Sequence, residues 1–245
     1  MSAPPDHSPV PPATRTRIKI CGLTREQDVD AAVAAGADAV GFVMYAPSPR
    51  FVPAARAAEL ARRLPPFVTP VLLFVNAPLP EIEAALDLLP NALLQFHGDE
   101  TPAQCLQATQ QGRRRYLRAA RIPLDEAVPF DLLEFASLYS TAQALLLDAH
   151  VDGYGGGGKA FNWSRLPTSV NAHLVLSGGL NAANVTGAIA QVRPRCKTLA
   201  VDVSSGVEVS ALKKGIKSAG KINQFVAAVR AADTAAASAA GRQLA

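Results

Sequence analysis

Short runs of apolar residues alternate along the chain with longer stretches in which apolar and polar positions repeat at helical spacing. The apolar runs have few polar interruptions, which is typical of parallel strands buried on both faces rather than strands with one solvent-exposed face. The pattern predicts eight strands: Ile18–Cys21, Ala39–Met44, Thr69–Val75, Ala92–Gln95, Arg115–Ala119, Ala144–Asp148, His173–Leu176 and Thr198–Asp202.

The stretches between these runs predict eight helices: Arg25–Ala35, Ala54–Leu64, Pro80–Leu88, Pro102–Gln111, Asp125–Leu138, Trp163–Leu166, Ala182–Gln191 and Gly215–Ala232. Strands and helices that alternate in this way indicate the α/β class. Eight successive βα units favour a single closed (β/α)8 TIM barrel. A doubly wound open sheet has the same periodicity and remains the structural alternative.

Composition supports one large domain. Apolar residues make up 49% of the 245 residues, and no apolar run approaches the roughly 20 residues that span a bilayer. Residues 1–16 are rich in proline and lack an apolar stretch, so they predict a disordered leader rather than a signal peptide or anchor. We assign residues 17–232 to the barrel and the alanine-rich residues 233–245 to a flexible tail.

The charge and the aromatic content limit the kinds of molecule that the protein is expected to bind. The formal net charge is +4, aromatic residues make up only 6% of the chain, and no basic stripe with interleaved aromatics is present, which argues against nucleic acid. A modest positive charge suits a small anionic substrate. The three cysteines lie far apart and follow no metal or disulfide spacing, which favours a reducing cytoplasm. No membrane association and no obligate protein partner are predicted.

Cys21 ends the first apolar run and is followed at once by glycine and a polar turn. The thiol therefore belongs at the C-terminal end of the first strand, the face on which barrels place their chemistry. A thiol there can be a nucleophile, a metal ligand, a proton carrier or a small apolar residue. Asp148 ends the sixth run in the same way, as a surface cap or as an acid. Together the two side chains make a plausible base–acid pair.

Glycine-rich segments follow the sixth, seventh and eighth strands. Glycine lets backbone N–H groups approach an anion closely, and barrels often bind phosphate with the loops after strands seven and eight. We therefore predict a phosphate site formed by the glycine-rich segments 153–159, 177–181 and 202–208.

Two further side chains are candidates at the same face. Arg50 lies in a loop stiffened by two prolines after the second strand, and arginine binds carboxylates through its planar fork. His97 follows the fourth strand. A lone histidine near a turn is usually structural, but this position points it towards the active face, and we include it among the substrate-binding candidates.

The motifs taken together resemble the phosphoribosylanthranilate isomerase family of tryptophan biosynthesis. The resemblance covers residues 17–230 and follows the family's order. It rests on Lys19–Thr24, Gly36–Val43, Ser48–Arg50, Gln95–Gly98, Leu147–Ala149, Tyr154–Trp163, Leu176–Leu180 and Val201–Glu208.

The resemblance implies an Amadori rearrangement of a phosphoribosyl substrate that requires neither a cofactor nor a metal. It makes Cys21 the general base and Asp148 the general acid. It also assigns Arg50 to the carboxylate of the anthranilate and puts Asp202 beside the ribose. The phosphate-binding residues that it implies are Gly156, Gly157, Gly158, Gly178, Gly179, Ser205 and Gly206. Because a base must be the anion, we expect the surroundings of Cys21 to lower the pKa of its thiol towards neutrality.

The chain departs from the family pattern at four positions, and none of them is Cys21 or Asp148. Gly157 stands where the family often has Thr or Ser, Asn162 where Asp is common, Phe96 where Leu is usual, and Ser218 where Asp is usual.

Two rival functions are weighed against the isomerase. The isomerase of histidine biosynthesis performs the same rearrangement with two aspartates, and Cys21 argues against it. A phosphosugar-binding barrel without catalysis would need neither Cys21 nor Asp148. Fold alone cannot decide, because barrels host many chemistries.

Overall fold

The computed structural model describes residues 15–150 and 160–243. Eight strands alternate with the helical segments, as the hydrophobic pattern predicts. The strands are β1 (Arg17–Cys21), β2 (Ala39–Val43), β3 (Thr69–Phe74), β4 (Leu93–Phe96), β5 (Tyr116–Pro123), β6 (Ala144–His150), β7 (Val170–Leu176) and β8 (Cys196–Val203).

Helices follow most of the strands. They are α1 (Glu26–Ala35), α2 (Ala54–Ala61), α3 (Leu79–Leu88), α4 (Pro102–Ala108), α5 (Leu132–Leu138), α6 (Val185–Val192) and α7 (Ala219–Gln243). Between β6 and β7 the described residues form only a single 3-10 turn, Trp163–Arg165. Asn162 begins that turn by accepting a hydrogen bond from the Ser164 backbone N–H at 3.1 Å, so it keeps the capping role of an aspartate.

Every strand pairs in parallel with the next, and β1 also pairs with β8, which closes the barrel. Ile18 of β1 lies opposite Val201 of β8, and Lys19 lies opposite Asp202. The closure confirms the (β/α)8 prediction and excludes the open doubly wound sheet. All eight strands therefore present their C-terminal ends at one mouth.

Two apolar layers surround the strands. The interior of the barrel holds a small cluster built around Leu117, Leu146 and Val175. The larger cluster fills the space between strands and helices and includes Phe42, Phe74 and Phe225. Because successive strand residues point to opposite sides, a strand buried on both faces reads as a continuous apolar run.

The starts of two helices lie four or more residues after the predicted ones. Helix α5 begins at Leu132 rather than at Asp125, because Asp131 supplies the N-cap: its carboxylate accepts from the backbone N–H groups of Leu133 and Glu134. Helix α7 begins at Ala219 rather than at Gly215. Gly215 has φ +80°, a left-handed conformation that cannot start a helix.

Helix α7 also continues to Gln243, beyond the predicted end at Ala232. Asp233, in the extra turn, accepts 2.7 Å hydrogen bonds from the backbone N–H and the hydroxyl of Thr16, and it pairs with Arg193. Thr16 is buried. The chain immediately before β1 is thus fastened to the last helix, although the sequence analysis assigned the two contact residues to a leader and a tail. Among the described residues, no helix is long and apolar enough to cross a membrane.

Candidate active site

Buried polar side chains collect at the C-terminal half of the barrel interior. They come from strands β1, β4, β6 and β8 and from the residues directly after β4 and β7, and each is less than a tenth exposed. They are Lys19, Gln95, His97, Asp148, Ser177 and Asp202. Polar groups are buried at a cost unless they are paired, and most atoms of this set find partners within it.

Cys21 lies in this interior with Lys19 two residues before it on the same strand. The Lys19 ammonium donates a 2.8 Å hydrogen bond to Asp202 Oδ1. Gly41, opposite Cys21 on β2, supplies the space: a Cβ there would lie 2.7 Å from the Cys21 sulfur and 3.1 Å from Lys19 Nζ. The missing side chain at Gly41 lets the thiol and the ammonium share one pocket.

The pKa of the Cys21 thiol is raised, not lowered. Burial disfavours the thiolate most, while the positive charge of Lys19 acts in the opposite direction and only partly offsets it. The sequence-based expectation of a lowered thiol pKa is therefore wrong for this structure. Although burial opposes the charged amine, Asp202 and Cys21 raise the pKa of Lys19 above its ordinary value, so Lys19 is a fixed cation.

Asp148 lies at the end of β6, in the same barrel interior as Cys21 of β1. Its Oδ1 accepts a hydrogen bond from the backbone N–H of Ala149 at 2.9 Å, and its Oδ2 lies 2.9 Å from Nε2 of His97. The other ring nitrogen of His97, Nδ1, lies 2.9 Å from the amide nitrogen of Gln95. His97, a candidate for contact with substrate, is thus also the direct partner of the candidate acid.

Asp202 has both oxygens engaged by the protein. Lys19 holds Oδ1, and the hydroxyl of Ser177 donates to Oδ2 at 3.3 Å. These contacts tie the ends of β1, β7 and β8 together beneath the mouth.

Arg50 is buried and held by Glu208. Its Nε and Nη2 donate to the two carboxylate oxygens at 2.7 and 3.0 Å, so one edge of the guanidinium is already occupied. A Cβ at Gly22 would lie 2.6 Å from Arg50 Cδ, which places Arg50 directly beside the turn that follows Cys21.

A second buried lysine completes this ion cluster. Lys217 Nζ donates to the Ser204 carbonyl at 3.0 Å and to Glu208 Oε1 at 3.3 Å. Burial lowers the pKa of Lys217 to about 8, although the charge of Glu208 opposes the shift. Burial alone would raise the pKa of Glu208, but the hydrogen bond from Arg50 and the charge of Lys217 hold it below its usual value.

The loops after β7 and β8 lie side by side. Gly178 and Gly179 have φ +75° and +65°, consecutive left-handed conformations that favour glycine. At Gly206 a Cβ would lie 2.0 Å from the carbonyl oxygen of Leu180, so this glycine allows one loop to pack on the other. A cavity of about 440 Å³ adjoins both loops, and its lining includes Gly179, Ser205, Gly206, Arg50, Lys214 and Lys221.

A Cβ at Gly178 would meet Ala149 N and Asp148 Oδ1, at 2.7 and 2.8 Å. Close packing on the candidate acid therefore gives this glycine a role besides anion binding. The candidates Gly156, Gly157 and Gly158 lie outside the described residues.

The sequence analysis did not assign site roles to several residues that the fold brings to this region: Lys19, Gln95, Glu208 and Lys217. Lys19 and Gln95 carried a usable signal, since each is a polar residue inside an otherwise apolar strand. Glu208 and Lys217 carried none, because their loop has no periodicity. Within the described ranges no group of three or more His, Cys, Asp and Glu side chains could hold a metal ion.

Residues 18–228 match the family model described as N-(5'phosphoribosyl)anthranilate (PRA) isomerase. A protein of Methylibium petroleiphilum named N-(5'-phosphoribosyl)anthranilate isomerase is 63% identical over 219 residues, which cover 89% of this chain and 96% of that protein. A protein of Leptothrix cholodnii with the same name is 62% identical over 89% of this chain and 93% of its own length.

Solved structures are similar as well. Phosphoribosyl anthranilate isomerase from Thermus thermophilus superposes with a TM-score of 0.73 at 31% identity, covering 88% of this chain and 99% of that one. A crystal structure of the isomerase in complex with reduced 1-(o-carboxyphenylamino)-1-deoxyribulose 5-phosphate superposes with a TM-score of 0.70 at 34% identity and the same coverage.

Proposed function

The chain belongs to the N-(5'-phosphoribosyl)anthranilate isomerase family, and from that membership we propose that Cys21 and Asp148 carry the reaction as base and acid. The enzyme is an aldose–ketose isomerase of tryptophan biosynthesis. It converts N-(5-phosphoribosyl)anthranilate to 1-(2-carboxyphenylamino)-1-deoxyribulose 5-phosphate by an Amadori rearrangement.

The reaction needs one proton delivered and one removed. Asp148 protonates the furanose ring oxygen, the C1′–O bond breaks, and the anthranilate nitrogen forms a Schiff base with C1′. Cys21 then removes the proton from C2′, and the electron pair moves to give an enolamine. Tautomerisation of the enolamine yields the ketone. Both transfers are general acid–base steps, which contribute typically about 10²–10⁴-fold each.

One observation carries this assignment: the thiol and the carboxyl group lie in one barrel interior, each with its own polar partner. Lys19 lies beside Cys21 as a fixed cation that favours the thiolate, and His97 holds Asp148 at 2.9 Å. The thiolate is scarce at neutral pH because burial raises the pKa of the thiol. A charged substrate is drawn to the site by the nearby lysines and arginine.

Other residues at the barrel mouth supply the proposed contacts with the substrate. Cys21 packs against an apolar wall of Val43, Leu73 and Val75, which suits the aromatic ring of the anthranilate. The edge of Arg50 that Glu208 leaves open is the donor for the anthranilate carboxylate, and Asp202 lies beside the ribose.

The phosphate binds at the adjoining loops after β7 and β8, with Gly178, Gly179, Ser205 and Gly206 as its cradle. The family resemblance assigns Gly156, Gly157 and Gly158 to the same phosphate. The cavity of about 440 Å³ beside these loops and its lysines support this position. The substrate is a small phosphosugar, and the protein works in the cytoplasm without nucleic acid, membrane or obligate partner.

The experiment is Asp148→Asn, assayed by the loss of phosphoribosylanthranilate fluorescence. The amide keeps the shape of the side chain but has no transferable proton, so turnover should fall by about 10²–10⁴-fold while binding of a reduced product analogue is retained. Asp87→Asn, on the exposed side of α3, is the matched control. Substantial activity in Asp148→Asn would move the acid elsewhere, with Asp202 the next candidate.

A further inference from the structure

Gln95 is a polar residue in an apolar layer. Its side chain is fully buried, and its neighbours in register are Leu73 on β3 and Leu117 on β5. Its amide nitrogen contacts His97 Nδ1, while its amide oxygen has no hydrogen-bond partner among the described residues. An unpaired buried acceptor is destabilising, so packing alone would favour leucine at this position.

The contact with Gln95 fixes which nitrogen of His97 carries the proton. An amide –NH2 can only donate, so Nδ1 must accept and cannot hold a hydrogen. The proton of the neutral ring is then on Nε2, which donates to Asp148 Oδ2. A second proton cannot be added to the ring without placing two donors face to face at Nδ1.

The reversed amide orientation fits the surroundings less well. The amide oxygen would then accept from Nδ1–H, but the –NH2 group with its two donors would lie at the position where the oxygen is unpaired. Unpaired buried N–H groups are rarer than under-satisfied carbonyls. The orientation in the structure is therefore the less costly one.

We propose that Gln95 is a positioning residue that keeps the transferable proton on Asp148 by denying it to His97. This inference rests on the proposed role of Asp148 as the acid. When the His97–Asp148 pair takes up a proton, Nδ1 is occupied by Gln95, so the proton goes to the carboxyl group. From there it passes to the ring oxygen of the substrate, and Asp148 is left as the carboxylate that accepts from His97 Nε2.

Charged side chains near the pair have ionic partners of their own. Arg121, in register with Asp148 on β5, donates to Asp99 at 2.8 Å. On the other side of the barrel, Lys19 is bonded to Asp202. On β3 and β5 the register neighbours of Gln95 are the apolar Leu73 and Leu117. Gln95 is the neighbour that contacts Nδ1 and keeps this nitrogen free of hydrogen.

The first test reads the tautomer directly by ¹⁵N NMR of the full-length wild-type protein at pH 7. The chain has only four histidines, and His97→Asn identifies the resonances of His97 by their loss. We expect a neutral ring with hydrogen on Nε2 and a lone pair on Nδ1. A ring with hydrogen on Nδ1, or an imidazolium, in the wild-type protein overturns the proposal.

The second test is Gln95→Glu, which has the same shape but accepts where the amide donates. The carboxylate should draw a proton to Nδ1, so that NMR shows hydrogen on both ring nitrogens and kcat falls at least tenfold with little change in KM. Gln107→Glu, an exposed position on α4, adds the same charge and should leave both unchanged. Wild-type kcat in Gln95→Glu with an altered tautomer overturns the proposal.

Gln95→Met keeps the length of the side chain without adding a charge. It is a second variant for the case in which Gln95→Glu does not fold. Removing the donor should free Nδ1 to take a second proton, so NMR should show hydrogen on both ring nitrogens of His97 at a pH where the wild-type ring is neutral. A ring that stays neutral in Gln95→Met wherever the wild-type ring is neutral overturns the role of Gln95. If the wild-type protein did not isomerise phosphoribosylanthranilate, the NMR results would still stand, so failure of the proposed function is distinguishable from failure of this inference.

Discussion

At the scale of single residues, Cys21 shows how neighbours set the chemistry of a side chain. A thiol in an apolar barrel would be inert, because burial disfavours the thiolate. Lys19 and its counter-ion Asp202 introduce a fixed positive charge at the same depth, and Gly41 leaves room for it. The pKa of the thiol is nevertheless raised, so the base is charged only in a small fraction of the molecules at neutral pH.

This balance predicts the behaviour of Cys21→Ser. A hydroxyl is a far weaker acid than a thiol, so kcat should fall by about 10²–10⁴-fold while KM changes little. In the wild-type protein the ultraviolet absorbance of the Cys21 thiolate, taken as the difference from Cys21→Ser, should reach half of its full value only above pH 9.0, the ordinary pKa of a thiol. Cys196→Ser, at the start of β8, serves as the activity control. A difference absorbance that is complete below pH 9 would contradict the raised pKa.

At the scale of elements, the loop after β7 is shaped by packing on its neighbours. Gly178 is left-handed, and its Cα faces Asp148 and Ala149 at the end of β6. The loop proposed to bind the phosphate therefore also packs against the candidate acid from one side. A side chain in this loop would disturb both functions at once.

Gly178→Ala should therefore reduce kcat and destabilise the protein. The left-handed backbone costs about 1–2 kcal/mol for a residue with a Cβ, and the Cβ would press on Asp148 Oδ1. Gly187→Ala is the matched control: Gly187 lies in α6, where a Cβ would meet nothing within 4 Å. The control should gain roughly 0.5–1 kcal/mol of stability and keep its activity. Urea unfolding measures the stability of each variant, and steady-state kinetics measures its kcat. Equal effects in the two variants would contradict this role of Gly178.

The loop between β8 and α7 predicts a pH dependence of stability through Lys217. Burial puts its folded pKa at about 8, below the ordinary 10.5. Between these values the unfolded chain binds a proton that the folded protein does not, so the free energy of unfolding rises with pH. The free-energy cost of keeping Lys217 charged in the folded protein is largest below pH 8, where the folded and unfolded chains both hold the proton. It amounts to roughly 3 kcal/mol.

The comparison with Lys217→Met isolates this contribution. Burial also raises the pKa values of Cys105 and Cys196 to about 11, which lowers stability above pH 9 in both proteins and cancels in the difference. Denaturant titrations at intervals from pH 7 to 10.5 should show the wild-type protein gaining stability relative to the variant. A constant difference across that range would mean that Lys217 has no lowered pKa.

At the scale of the whole molecule, closure of the barrel depends on contacts between residues far apart in sequence. Beside the pairing of β1 with β8, Thr16 and Arg193 meet Asp233 on α7. This cluster lies at the N-terminal side of the barrel, away from the mouth. It joins the start of the first strand to the last helix.

Truncation tests whether residues beyond Ala232 belong to the folded domain. A chain that ends after Ala232 loses Asp233 and leaves Thr16 and Arg193 without their partner, which should cost about 1–3 kcal/mol of stability. A chain that ends after Ser238 keeps the cluster and should melt close to the full-length protein. Kinetics at a temperature well below melting should be unchanged in both. Equal melting temperatures for the two truncations would show that the cluster contributes nothing.

The sequence by itself determined the class of fold and the two residues proposed to act as base and acid. Continuous apolar runs that alternate with helical spacing indicate buried parallel strands, because both faces of such strands are covered. Cys21 and Asp148 could be placed at strand ends because each is the polar residue that closes an apolar run. The loops around Gly178 and Gly206 could be placed because glycine-rich segments directly follow the apolar runs.

Only the tertiary structure decided which polar residues meet. Lys19 and Asp202 are 183 residues apart, Arg50 and Glu208 are 158 apart, and no periodicity within either segment reports the other. The same holds for the thiol pKa, because burial and the charge of Lys19 act in opposite directions and their balance depends on distances. Charge pairing across a closed barrel is set by strand register and shear, which a local hydrophobic pattern does not encode.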